Sequence, residues 1–138
     1  MSAATDLWPD LGLSADRKLP ALLLGQQAAQ LGRKTRGMVL ARVRSYSSGK
    51  AGFSHVLQLR VPDLGDYYYE LLHVSHAILG YPATLRYMGT GVNEPVTRTA
   101  NDEAEFVNAL REFLGSEETR QVIQALLSQE PEEELEES

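Results

Sequence analysis

Residues 37–61 read GMVLARVRSYSSGKAGFSHVLQLRV, and the alternation on either side of the central serines and glycines decides the fold. In the first half Val39, Ala41 and Val43 fall on one side, while Leu40, Arg42, Arg44 and Tyr46 fall on the other. In the second half Phe53, His55, Leu57, Leu59 and Val61 alternate with Ser54, Val56, Gln58 and Arg60. A period of two is that of a strand with one buried face. The connecting Ser47 to Gly52 holds two glycines and two serines and suits a hairpin loop longer than a two-residue turn. Pairing the strands predicts that Arg42, Arg44 and Arg60 share the polar face.

Outward from the hairpin, Leu19 to about Lys34 predicts a helix. Asp16 is available as its cap, Pro20 suits its first turn, and Arg33 and Lys34 suit its C-terminal dipole. Leu24, Ala28 and Leu31 form its apolar stripe, and Ala21, Gly25, Ala28 and Gly32 let it approach a sheet closely. Asp66 to Leu79 admits two readings. Asp66 as a cap, the stripe Tyr68, Leu71, Leu72, Ser75, Ile78 and Leu79, then Gly80 and Pro82 as stops, fit a helix. Tyr67, Tyr68 and Tyr69 with the alternation through Leu71, His73 and Ser75 fit a strand, and this is the reading adopted, with Ala83 to Met88 as the next strand.

Gly89 to Pro95 reads as a loop, and a helix is expected from Thr97 or Thr99 to Leu114, capped by Asn101 or Thr99. Phe106, Leu110 and Phe113 are its buried stripe. Gly115 ends it, Ser116 caps the last helix, and Thr119, Val122, Ile123, Leu126 and Leu127 give that helix its apolar face. The expected fold is α+β: an N-terminal helix, an antiparallel hairpin and meander sheet, and two C-terminal helices packed on the sheet. The expected organisation is a flexible arm over 1–16, a single domain over 17–129 and a disordered acidic tail over 130–138, since Leu135 alone among glutamates buries no core.

The chain has 138 residues, 43% of them apolar, which is ample for one globular core. It has no cysteine, so disulfides, thiol nucleophiles and thiolate metal sites are all excluded. The longest apolar run, Ala21 to Leu24, falls far short of the roughly 20 residues that cross a bilayer. The N-terminus shows no positive region followed by an apolar stretch, and the expectation is a cytoplasmic protein without membrane contact.

The net charge of −6 hides a polarised chain. Residues 17–60 carry nine Lys or Arg and no acid, whereas 130–138 carry six glutamates and no base. Such asymmetry marks an anionic partner, or an acidic partner within the same molecule.

Signs of catalysis are few. His73 and His76 are three residues apart, a spacing that fits two metal ligands on a helix but sends them to opposite faces of a strand. His55 lies on the apolar side of its strand and reads as a hydrogen-bonded core residue. Ser45, Ser47, Ser48 and Ser54 stand near it in sequence without a glycine-serine-glycine elbow. Gly89-Thr90-Gly91 lacks the ending of a phosphate loop. No cofactor or metal is expected, and an enzyme ranks third.

Two binding roles come before it. The first is a small non-catalytic protein-interaction module of regulatory, immunity or adaptor type, whose contact residues are Arg36, Arg42, Arg44, Tyr46, Lys50 and Arg60. The second is a nucleic-acid binder that sets the same cations, with Arg33 and Lys34, against phosphates and stacks Tyr46 on a base, the acidic tail competing for the basic face.

Overall fold

The computed structural model describes residues 5–11, 18–47, 49, 52–65 and 67–129. Over these the order is α1 (Pro20–Lys34), β1 (Leu40–Ser47), β2 (Phe53–Arg60), a 3₁₀ turn (Pro62–Leu64), β3 (Tyr69–His76), β4 (Ala83–Tyr87), β5 (Val96–Ala100), α2 (Glu103–Leu114) and α3 (Glu117–Leu127). The strands form one antiparallel meander in the order β1-β2-β3-β4-β5. The α+β arrangement expected from the sequence is the one observed, and β3 is a strand.

The hairpin pairs in the register its alternation requires, Val43 opposite Leu57 and Arg42 opposite Gln58. Ala41, Val43, Leu57 and Leu59 therefore turn to the helices, where Leu23, Leu24 and Ala28 of α1 join them in the core. The pairing of β2 with β3 shifts between Leu57, opposite Leu72, and Gln58, opposite Glu70, leaving Leu71 as an extra residue. A bulge lets consecutive side chains face one way, so Leu71 and Leu72 are both buried. The same shift brings Tyr68 onto the face opposite the helices. A helical stripe through Tyr68, Leu71 and Leu72 is thus the sequence image of a bulged strand.

The region before α2 differs from the expectation. Val96 to Ala100 is an edge strand, so neither Thr97 nor Thr99 starts a helix, and the cap is Asp102, whose side chain accepts from Glu105 N at 2.9 Å. Two threonines flanking Arg98 favour extended backbone, and Asp is a stronger N-cap than Thr. Glu105 returns a bond by accepting from Asn101 N at 2.8 Å. At α3 the expected cap is present: Ser116 accepts from Thr119 N at 3.2 Å.

Helix α1 starts after Leu19, which offers no side-chain cap, with Pro20 in the first turn; the expected cap Asp16 lies outside the described residues. Phe106 is fully buried and meets Tyr81 edge to face at 6.2 Å, while Tyr87 stacks on Phe113 at 4.7 Å. The Tyr87 hydroxyl bonds Thr119 and Ser116, tying the sheet to the start of α3. Of the expected arm, residues 5–11 are described; they are exposed and outside regular secondary structure. Residues 130–138 lie outside the description, as do Lys50 and Asp66. Among the described residues no helix is long and apolar enough to cross a membrane.

Candidate functional site

The three helices of the described residues contribute to one core on one side of the sheet, and among the described residues no helix covers the other side. The register lays its side chains out in rows. One row runs Arg44, Val56, His73, Arg86, Thr97 across all five strands, and a second runs Tyr46, Ser54, Ser75, Thr84, Thr99. A third is Arg42, Gln58, Glu70, and beside it Arg60 stands opposite Leu40. Strands are about 4.8 Å apart, so Arg44 and Arg86, three strands apart, bracket roughly 14 Å of this face.

The third row is held by hydrogen bonds. Arg42 Nε donates to Gln58 Oε1 at 2.8 Å, and Gln58 Nε2 donates to Glu70 Oε2 at 3.4 Å. Glu70 Oε1 meets His73 Nε2 at 3.0 Å. Gln58 is 6% exposed, so its amide is a fixed relay, and Val56, 5% exposed between Arg44 and His73, is an apolar floor. The Arg42 guanidinium lies over the Tyr68 ring, 3.7 Å from its centroid, with Arg60 at 5.8 Å from the same ring. Arg44 is 5.7 Å from the ring of Tyr46. Stacking on tyrosine orders a guanidinium without neutralising it, leaving N–H donors for an incoming carboxylate or phosphate.

Charge on the face is one-sided. Among the described residues of its strand rows, four arginines, 42, 44, 60 and 86, stand with one carboxylate, Glu70. Among the described residues none of the four is within ion-pair distance of a carboxylate, whereas Arg98 and Arg120 are paired with Glu112 and Glu117.

Of the residues the sequence singled out, the structure gathers Arg42, Arg44, Tyr46 and Arg60 on this face. Arg36 sits in the turn that closes α1, outside the strand rows. Gln58 shares the side of Arg60, as its alternation requires, whereas Tyr68, Glu70, His73 and Arg86 join the face without any signal in the hairpin. The alternation Ala83-Thr84-Leu85-Arg86-Tyr87 carries the signal for Arg86; Tyr68 is reachable only through the bulge.

The helix side holds a second polar set near the hairpin end. His55 Nδ1 is 2.8 Å from Ser45 Oγ, and His55 Nε2 is 2.8 Å from His76 Nε2. His76 Nδ1 lies 2.7 Å from the carbonyl of Ala77 and must donate to it, so in the neutral pair His76 Nε2 accepts from His55 and His55 Nδ1 accepts from Ser45. Burial, and then His76, hold His55 below the ordinary imidazole range. Two cavities, of about 700 Å³ between α1, the sheet and the C-terminal helices and about 510 Å³ beside β3 and α3, are lined by other residues. A serine bonded to an imidazole is a start for nucleophilic chemistry, and Ser45, His55 and His76 line neither of these two cavities. His73 and His76 point to opposite faces, and among the described residues no group of three or more His, Asp or Glu is placed to hold a metal ion.

Comparison of the chain with protein-family models, curated proteins and solved structures finds no match.

Proposed function

We propose that this chain is a non-catalytic binding module whose uncovered sheet face receives an acidic surface of a protein partner. The observation that carries this reading is the set of four arginines on that face, none within ion-pair distance of a described carboxylate. Arginine is a strong interface anchor because its planar fork meets carboxylates bidentately and is weakly hydrated. Here Arg42 is already held by Gln58 and Tyr68, so little side-chain entropy is lost on binding. Val56 supplies an apolar floor at the centre.

Binding of single-stranded nucleic acid is the second reading. It is favoured by Tyr46, 44% exposed with Arg44 near its ring. It ranks second because Arg42 already covers Tyr68, the ring at the centre of the arginine cluster, leaving Tyr46 as the open ring among the described residues of the strand rows, and because the chain as a whole is acidic.

The experiment is a salt-dependent titration of wild type and Arg42→Ala/Arg44→Ala/Arg60→Ala against a polyglutamate peptide and against random-sequence single-stranded DNA and RNA. The reading expects peptide binding that weakens with salt and is lost in the triple variant. Binding confined to the nucleic acids, with a steep salt slope, gives the second reading first place. No binding to any of them contradicts both.

A further inference from the structure

We infer that residues 130–138 of this chain dock on the uncovered sheet face at Arg42 and Arg60, as an internal occupant that a partner must displace, an inference resting on the reading of that face as a site for acidic groups.

The place where α3 ends makes this contact short. Gln129, just beyond α3, lines the 510 Å³ cavity together with Ala125 and Leu126 of that helix and with Leu64, Tyr67 and Tyr69. The chain therefore leaves α3 beside the two residues that flank Tyr68. Tyr68 carries Arg42 and Arg60 on the far face, so exit point and arginine cluster are separated by one layer of sheet. Packed layers are about 10 Å apart. Nine extended residues reach about 30 Å, enough to pass over the start of β3 and lie along Tyr68 and Arg60.

Charge selects the same destination. The segment has six glutamates and no base. Arg98 and Arg120 already hold carboxylates, so they gain less from it than the four arginines of the open face. Lys34 and Arg111, at the rim of the larger cavity, are the competing cations on the helix side. A tethered segment acts at an effective concentration of about millimolar, so even a weak contact is populated until a tighter ligand removes it. The consequence is a threshold: partners with fewer or more scattered carboxylates than the segment compete less well for the face.

The chain has no cysteine, so Ser138→Cys in the full-length protein gives a unique position for a nitroxide label. At low salt the label should broaden the amide signals of Arg42, Arg60 and Tyr68, and raising salt to about 0.5 M, where the screening length falls to a few ångströms, should restore them. Broadening confined to the end of α3, or centred on Lys34 and Arg111, overturns the inference. In parallel a polyglutamate peptide is added to the full-length protein with glutamates 132, 133, 134, 136 and 137 each replaced by glutamine. The expected gain in affinity over wild type is about three- to tenfold. If the peptide shifts the open-face signals but the label does not broaden them, the face is a site and the internal occupant is wrong. If neither occurs, both readings fall.

Discussion

Replacing Arg36 by glycine should stabilise this protein, although it removes a cation from a basic segment. Helix α1 closes with Gly37 N donating to Gly32 O at 2.8 Å and Arg36 N donating to Arg33 O at 3.2 Å, the paired bonds of a Schellman motif. That motif puts the residue after the cap in the left-handed region, and here it is Arg36, at φ 55°, the only described residue other than glycine with positive φ. An L side chain in that conformation costs about 1–2 kcal/mol, while the wider freedom of glycine in the unfolded chain offsets about 0.4–1 kcal/mol of the relief. Losing the charge near the helix C-terminus costs about 0.3 kcal/mol, because Arg33 and Lys34 remain. Arg36→Gly should therefore gain about 0.5 kcal/mol. Arg36→Ala loses the same charge but keeps the strain, so the glycine variant should exceed it by about 0.5–1 kcal/mol. With a urea slope of about 2 kcal/mol per M, the two midpoints should differ by about 0.3–0.5 M. Equal midpoints for the two variants, or a glycine variant less stable than the alanine one, would refute the strain argument.

Three further outcomes follow from the packing. A Cβ on Gly52, at φ +108°, would stand 2.3 Å from the carbonyl oxygen of His76 and 3.0 Å from Ala77 Cα, so Gly52→Ala should cost more than about 2 kcal/mol by thermal denaturation; an unchanged melting temperature would contradict this close approach. Thr35 Oγ1 accepts from Val39 N at 3.0 Å and has the carbonyls of Val39 and Leu31 to donate to, so Thr35→Val should lose about 1–2 kcal/mol in the same assay. His55 is held below its unfolded value by burial and by His76, so as pH falls below about 6.5 the unfolded chain takes up protons before the folded one and stability declines; urea midpoints should drop from pH 7.5 to 5.5 in wild type and drop less in His55→Gln.

What could be read from the sequence is tied to period. The hairpin was legible because Arg42, Arg44, Gln58 and Arg60 alternate with Ala41, Val43, Leu57 and Leu59, and alternation fixes both face and register. α3 was legible because Ser116 caps it and its stripe is regular. The strand at Val96–Ala100 was not, since it is short, lies at an edge and has polar residues on both sides, which leaves no contrast for a period to show. The candidate site was half legible. Arg42, Arg44, Tyr46 and Arg60 come from one hairpin, but Tyr68 joins them only because an extra residue at Leu71 reverses the alternation of β3. The Ser45, His55 and His76 set needs a pairing between distant strand ends that no local pattern announces.

The central claim is that the open face selects acidic protein segments, and a display selection of random dodecapeptides on the full-length protein tests it most directly. Wild type should enrich peptides rich in Asp and Glu at low salt, and Arg42→Ala/Arg44→Ala/Arg60→Ala, folded by circular dichroism, should not. Enrichment of neutral or basic peptides, or the same acidic peptides selected by the triple variant, would contradict the assignment of this face.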